Sequence, residues 1–441
     1  MDTPPDCFAA VRTRIPHESR CRPWLAVLVL CGIWLSGCAP ETPPSQPPVR
    51  TGAEVLARTG FEALSGQRVG VIANHTARVD TAHLVDRLAA APDVRVGAIF
   101  APEHGVRGTA GAGEPVQGGR DPRTGAPVYS LYDDTRRPTP DELAGLDALV
   151  FDVQSVGARF YTYSTTMGLA MQAAAEAGLS FVVLDRPNPL GGTYTGGFVL
   201  ESAHTSFVGR YPLPMAHGLT VGELARYIQQ RELLPGVAAL DLSVVAMTGW
   251  IRDMQWPETG RAWVPPSPNL PTWETALLYP GLCLFEGVRV SEGRGTEHPF
   301  LQIGAPWPPA AAQRVVDTLR TRALPGVTVD TVAFTPRSMP QAAPSPRFEG
   351  ERLYGVEVAV TDRRAVAPVR VGIHMLHAFY HRAHARGDTT FVSRPAHLTR
   401  LAGTDRLLEQ LRAGAHPDSI VAGWRAETAA FREQRIPALL Y

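Results

Sequence analysis

The stretch VRVGAIFAPEHGVRG, Val94 to Gly108, decides the fold. Its first seven residues are mostly apolar and β-branched, as in a buried strand. They run directly into a glycine-rich loop that sets a carboxylate, Glu103, beside an imidazole, His104. Working outward, the same rhythm recurs. RVGVIA from Arg68 precedes the amphipathic HLVDRLAAA from His83, and DALVFDV from Asp147 precedes a helical pattern over Thr162 to Ala177. SFVVLD begins at Ser180, and LSVVAM at Leu242 follows a helix over Val221 to Glu232 with Thr220 as its N-cap. Strands alternating with helices make βαβ units and a parallel sheet, so the predicted class is α/β with a Rossmann-like domain.

Each of the first four strands ends in polar residues: Asn74, His75 and Thr76; Glu103 and His104; Asp152 and Gln154; Asp185, Arg186 and Asn188. In an open α/β sheet these ends share one edge, where ligands bind. After Leu242 the rhythm changes. Trp256 to Pro271, rich in Pro, Trp and Ser, reads as a crossing into a second unit. That unit carries SEGRGTEHPF from Ser291, helices near 310–321, 371–385 and 404–413, and the strand-like YGVEVAVTD from Tyr354. A smaller α+β C-terminal domain is expected over 266–441, with residues 53–265 forming the Rossmann-like catalytic domain and an active-site cleft between the two.

Composition narrows the function. Lys plus Arg and Asp plus Glu are equal at 42 each, without a basic stripe, which excludes the electrostatic footprint of nucleic-acid binding. Four of the five cysteines lie in the first 38 residues, so the body can hold neither a disulfide framework nor a Cys-based zinc site. Arg20 and Arg22 precede an apolar run from Trp24 to Trp34 that ends in Leu35-Ser36-Gly37-Cys38, a secretory leader over 1–38. Asp2, Asp6 and Glu18 are unlike a signal's basic start and point to an internal translation start. LSGC resembles a bacterial lipobox, which makes Cys38 the expected lipid anchor and 39–52 a Pro-rich tether. Ala39, in place of an aspartate, favours the periplasmic side of the outer membrane within the cell envelope.

The loop glycines do not follow GxGxxG, and P-loop, HExxH and GxSxG patterns are absent, so no nucleotide cofactor is indicated. Glu103 suits a general acid or base, or equally a carboxylate that orders its loop. His104 could orient it. FDVQSVGARFYTY, Phe151 to Tyr163, mixes Asp152, Gln154, Arg159, Tyr161 and Tyr163, a set suited to a sugar's apolar face and hydroxyl rim, or to a core. Asp185 with Arg186, and Glu292 with Arg294, are either substrate contacts or internal ion pairs. His374, His377, His381 and His384 share a helical face, but no carboxylate or cysteine completes a set. Solvent-facing histidines and no metal are expected.

Together, APEHG, GTAGAGEPV, TGAPVYSLY, FDVQSVGARFYTY, LDRPNPLGG, AHGLTVGELA, PSPNLPT and EGVRVSEGRGT, in this order from Ala101 to Thr296, resemble the exo-β-N-acetylmuramidases of the NamZ type over essentially Thr51 to Tyr441. The resemblance implies a two-domain, cofactor-free glycoside hydrolase that releases terminal N-acetylmuramic acid from the non-reducing ends of peptidoglycan fragments and muropeptides. It also implies that Glu103 is the catalytic glutamate. His104 and Asp152 are carried as its catalytic companions. Asn74, His75, Arg159, Tyr161, Asp185, Arg186, Asn188, His217, Glu292 and Arg294 are carried as substrate contacts. Val288 and Arg289 depart from the family's EGTNVSEGRGT. The alternatives are a lipid-anchored muropeptide-binding protein without catalysis, or a hydrolase of another glycoside or an amide.

Overall fold

In the computed structural model, which describes residues 48–441 except 109–110, 112–117, 133–134 and 323, the strand-like segments between Arg68 and Val245 pair into one sheet. Chain order gives β1 (Arg68–Ala73), a hairpin of β2 (Arg78–Val79) and β3 (Ala82–His83), β4 (Arg95–Ala101), β5 (Gly119–Arg120) and β6 (Pro127–Ser130). Then follow β7 (Ala148–Asp152), β8 (Ser180–Leu184) and β9 (Leu242–Val245). The spatial order is β5-β6-β4-β1-β7-β8-β9, parallel except for β5. Set β5 aside, and the chain builds outward from β1 in one direction through β6, then returns to build the other way from β7. That is the doubly wound Rossmann order, and its reversal lies between β1 and β7.

Side chains of a strand alternate between faces, and here both faces are covered. Ile72, Phe100, Phe151 and Phe181 point into one core with α3 (Pro140–Leu143), α4 (Tyr163–Ala177) and α5 (Val221–Gln230). Val71, Ile99, Val150 and Val182 point into the other with α1 (Gly52–Arg58) and α2 (Leu84–Ala89). Thr220 caps α5 as predicted, in a capping box with Glu223. The leader, Cys38 and the tether to residue 47 lie outside the described residues. The last residues assigned to the tether are already folded: Val49 is buried, Arg50 bridges to Thr248, and Thr51 caps α1.

The second part of the chain holds α6 (Trp273–Leu282), an antiparallel sheet of β10 (Gln302–Ala305), β11 (Val327–Phe334) and β12 (Leu353–Val360) in the order β10-β12-β11, α7 (Pro309–Arg320) and α8 (Pro368–His384). Helices α9 (Pro395–Ala402), α10 (Arg406–Arg412), α11 (Pro417–Ala422) and α12 (Arg425–Gln434) follow. Its core continues from the α4/α5 face of the large sheet. The expectation of solvent-facing histidines on α8 needs correction. His374 and His377 are buried, the first 3.2 Å from Asp418 on α11, and only His381 and His384 are exposed. Among the described residues no cluster of His, Cys, Asp or Glu could hold a metal ion.

Helices α6 and α8 cross at two glycines. A Cβ on Gly372 would sit 2.2 Å from the Gly281 carbonyl oxygen, so the crossing depends on missing side chains. Gly372→Ala should therefore force the helices apart and cost about 1–3 kcal/mol, read as a lowered urea midpoint. An unchanged midpoint would show that the crossing relaxes freely.

Candidate active site

Glu103 sits in a β-turn closed by the Gly105 N–H donating to the Pro102 carbonyl at 3.0 Å. His104 takes the third position of that turn with φ 73°, a left-handed backbone normally left to glycine or asparagine. The turn therefore spends conformational strain to present Glu103 at its corner, and His104 itself is buried. Arg107 anchors the following chain, paired bidentately with Asp86 on α2 and bonded also to Asp121.

Three elements converge on Glu103. The Thr162 hydroxyl, at the start of α4, donates to its carboxylate at 3.3 Å. The Tyr163 hydroxyl lies 3.2 Å from its backbone carbonyl and 3.1 Å from that of Pro266, while accepting the Asn74 side-chain N–H at 2.9 Å. Tyr132, just beyond β6, is hydrogen-bonded to Glu103. Its phenol is pushed up to about 12 by burial and by the Glu103 charge, so it stays a donor across the physiological range. Tyr161 packs edge-on against Tyr163 and against Tyr279 of α6, with ring centroids 4.9 and 6.1 Å apart. The site thus combines a carboxylate with hydroxyl donors and a half-apolar aromatic wall. Sequence patterning missed Tyr132, Thr162 and Tyr279 as a set because they come from three distant segments.

The other strand-end residues divide into those beside this site and those spent on structure. Asn74 is wholly buried and takes the Thr76 hydroxyl on its Oδ1 at 2.6 Å. His75 holds the Pro265 carbonyl through Nε2 at 2.7 Å, and burial lowers its pKa. Asp152 and Arg186 form a buried bidentate pair at 2.5 and 2.9 Å, so each neutralises the other, and Arg186 does not pair with the adjacent Asp185. Asp185 accepts four other hydrogen bonds, from the Arg186 and Gly222 N–H groups and the Thr220 and Tyr441 hydroxyls. Burial nevertheless holds its carboxyl up at about 6. Asn188 secures its own turn through Leu190 and Leu219.

The reading of Arg159 as a substrate contact is corrected. Its guanidinium is 1 % exposed and donates to the carbonyls of Phe198, Leu213 and Leu401, which leaves no face for a ligand. His217 is equally buried and accepts the Leu219 N–H through Nδ1. Glu292 and Arg294 do pair, at 3.2 Å, but Arg294 pairs more closely with Glu286, at 2.7 Å, and His397 meets Glu286 from α9 at 3.1 Å. The Arg294 and His397 charges pull Glu286 down to about 2, whereas burial raises the pKa of Glu292. Arg294 also lies over the Phe300 ring, which packs on Tyr279, so this cluster backs the aromatic wall of the Glu103 site.

Burial pushes His217 down to about 3, while an unfolded chain binds a proton near pH 6.5. Its contribution to stability is therefore complete above pH 6.5 and lost as pH falls toward 3, by about 1.4 kcal/mol per pH unit. His217→Asn, which keeps an acceptor for Leu219, should flatten the fall of the urea midpoint below pH 6.5 by one proton's share. An unaltered slope would show that His217 titrates normally in the fold.

Two family models cover the chain: the N-terminal domain of exo-β-N-acetylmuramidase NamZ over residues 69–274 and its C-terminal domain over 277–441. A curated protein of Bacillus subtilis (strain 168), peptidoglycan β-N-acetylmuramidase NamZ, is 40% identical over 401 residues, 90% of this chain and 92% of its own length. Two solved structures of DUF1343 family proteins from Bacteroides fragilis NCTC 9343 share the fold. One has TM-score 0.81 and 34% identity, covering 89% of this chain and 99% of its own. The other has TM-score 0.72 and 32% identity, covering 90% and 99%.

Proposed function

The chain belongs to the exo-β-N-acetylmuramidase NamZ family, and we propose that it is an exo-acting glycoside hydrolase that removes terminal N-acetylmuramic acid from the non-reducing ends of peptidoglycan fragments. The observation that carries this reading is Glu103, presented at the corner of a strained turn and held by Thr162 and Tyr132 at the carboxyl edge of the parallel sheet.

In glycoside hydrolysis a carboxylic acid protonates the departing oxygen while charge develops on the sugar ring. Glu103 is assigned that proton transfer. Thr162 and Tyr132 keep its carboxyl in one orientation, and Tyr161 offers the edge of an apolar wall to the ring. A second carboxylate usually completes such a site, and Asp152, Asp185, Glu114 and Glu292 are the candidates: Asp152 is neutralised by Arg186 and Asp185 is saturated by four donors, which makes both positioning residues. Glu114 lies outside the described residues. Glu292 is paired with Arg294 behind the aromatic wall, though it keeps one buried oxygen without a partner among the described residues. His104 shapes the turn, and Asn74 and His75 set the positions of Tyr163 and of the segment at Pro265. The LSGC ending supports lipid attachment at Cys38, with the enzyme in the cell envelope at the periplasmic face of the outer membrane.

Glu103→Gln should lower turnover of a chromogenic muramide at least about a hundredfold, with an unaltered thermal midpoint. Wild-type protein should free muramic acid from a muramic-acid-terminated disaccharide. Binding of that disaccharide without release would make the protein a muropeptide receptor. Near-normal turnover by the variant would remove Glu103 from the chemistry.

A further inference from the structure

The protein as a whole is neutral, with 42 basic and 42 acidic residues, but its charge is not evenly spread. Two cavities, of about 620 and 340 Å³, flank the chain at Pro48 to Arg50, and both are lined by Val49, Asp80 and Arg261. Arg78 lines the larger, and Arg50, Arg58 and Arg87 line the smaller. These four arginines come from the chain before α1, the last turn of α1, the start of β2 and the last turn of α2. No basic run announces them in the sequence, so only the fold gathers them.

The carboxylates beside them decide whether this charge is compensated. Glu54 is taken by Arg261, which binds its two oxygens at 2.7 and 2.8 Å and also holds the Val49 carbonyl at 3.1 Å. Glu258 is taken by Arg363 and Arg364, and Arg186 is matched by Asp152. Only Asp80, at the tip of the β2/β3 hairpin, then stands against Arg50, Arg58, Arg78 and Arg87, none of which has an ion-pair partner among the described residues. Arg78 donates to the neutral His75 carbonyl at 3.3 Å, and Arg58, Arg78 and Arg87 are exposed. An apolar side chain stands near them. The Arg50 backbone bridges to Thr248, Trp250 packs in a small cluster with Val49, and the next residue, Ile251, is 49 % exposed. Uncompensated guanidinium groups beside an exposed apolar side chain match a bilayer surface, where phosphates overlie hydrocarbon.

We propose that this face is a docking surface for an anionic phospholipid bilayer, with Arg50, Arg58, Arg78 and Arg87 meeting lipid phosphates and Ile251 entering the interface. The proposal goes beyond the muramidase reading and rests on the lipid-anchor reading only for what brings the bilayer there. From Cys38 to Pro48 the chain spans at most about 35 Å when extended, so a lipid on Cys38 keeps this face within reach of the membrane. Docking then holds the enzyme in one orientation instead of leaving it to swing on its Pro-rich tether.

The test uses the full chain carrying Cys38→Ser, which takes no lipid, and measures its partition onto vesicles of phosphatidylcholine alone or mixed with phosphatidylglycerol. The mixed vesicles should bind at least about tenfold more tightly at low salt, and the preference should vanish near 1 M salt, where the Debye length is about 3 Å. Combining Arg50→Gln, Arg58→Gln and Arg87→Gln should abolish the preference, with an unaltered thermal midpoint and unaltered turnover of a chromogenic muramide. Ile251→Ser should weaken binding to the mixed vesicles about threefold. Combining Arg314→Gln, Arg382→Gln and Arg386→Gln removes the same charge from a second group of neighbouring arginines, on α7 and at the end of α8, and should leave the preference intact. Equal binding to both vesicles, a preference that survives loss of Arg50, Arg58 and Arg87, or an equal loss in the second triple variant would overturn the docking surface. So would binding of soluble dextran sulfate without binding of the mixed vesicles. Wild-type protein isolated from a bacterial envelope with no acyl group on Cys38, read by mass spectrometry, would overturn the anchor reading instead, whatever the vesicles give.

Discussion

The Tyr163 hydroxyl is the constraint on which the site depends. It accepts from Asn74 at the end of β1, and it lies within hydrogen-bond reach of the Glu103 carbonyl beyond β4 and of the Pro266 carbonyl. These three segments are remote in sequence. Burial and the nearby Glu103 charge raise the tyrosine's pKa far above its ordinary value, so the proton that serves these contacts stays in place. With that hydroxyl removed, a buried asparagine donor and two carbonyls would lose their common partner, and the glutamate's turn would lose its tie to α4.

A second tie serves the frame rather than the chemistry. Asp185, at the end of β8, binds the N-terminal turn of α5 and the hydroxyl of the last residue, Tyr441. Arg435 donates to the carbonyls of His217 and Gly218, and the Leu440 N–H donates to Glu223. The C-terminal tail is therefore stitched to the sheet edge of the first part. Arg159, reaching the Leu401 carbonyl from the opposite direction, does the same between α9 and the chain before α4. Polar groups that look like ligand contacts in a motif are here the fasteners between the two halves of the protein. The motifs contain so many of them because a long interface between halves must satisfy its buried donors and acceptors as strictly as an active site does.

Most of the sheet could be read directly from sequence, because continuous apolar, β-branched runs report burial on both faces, and Thr220 reports a helix start. The short β5 and β6 and the longer β11 were less legible. These strands are partly exposed, so their apolar signal is diluted. The α8 histidines misled for a related reason. Spacing places four on one stripe, but only the packing of α11 and Arg322 against that stripe determines that two of them are buried.

By itself, the sequence determined the αβ rhythm, the polar strand ends on one edge, and the identity of Glu103 as the carboxylate in the decisive loop, since these depend on local periodicity and short motifs. Tertiary structure decided which polar residues are free to meet a ligand. Asp152 finds Arg186 across 34 residues, Arg159 finds Leu401 across 242, and Tyr441 finds Asp185 across 256. A charged side chain becomes a fastener or a functional group according to whether folding brings it a partner in a place water cannot reach, and no local pattern encodes that partner.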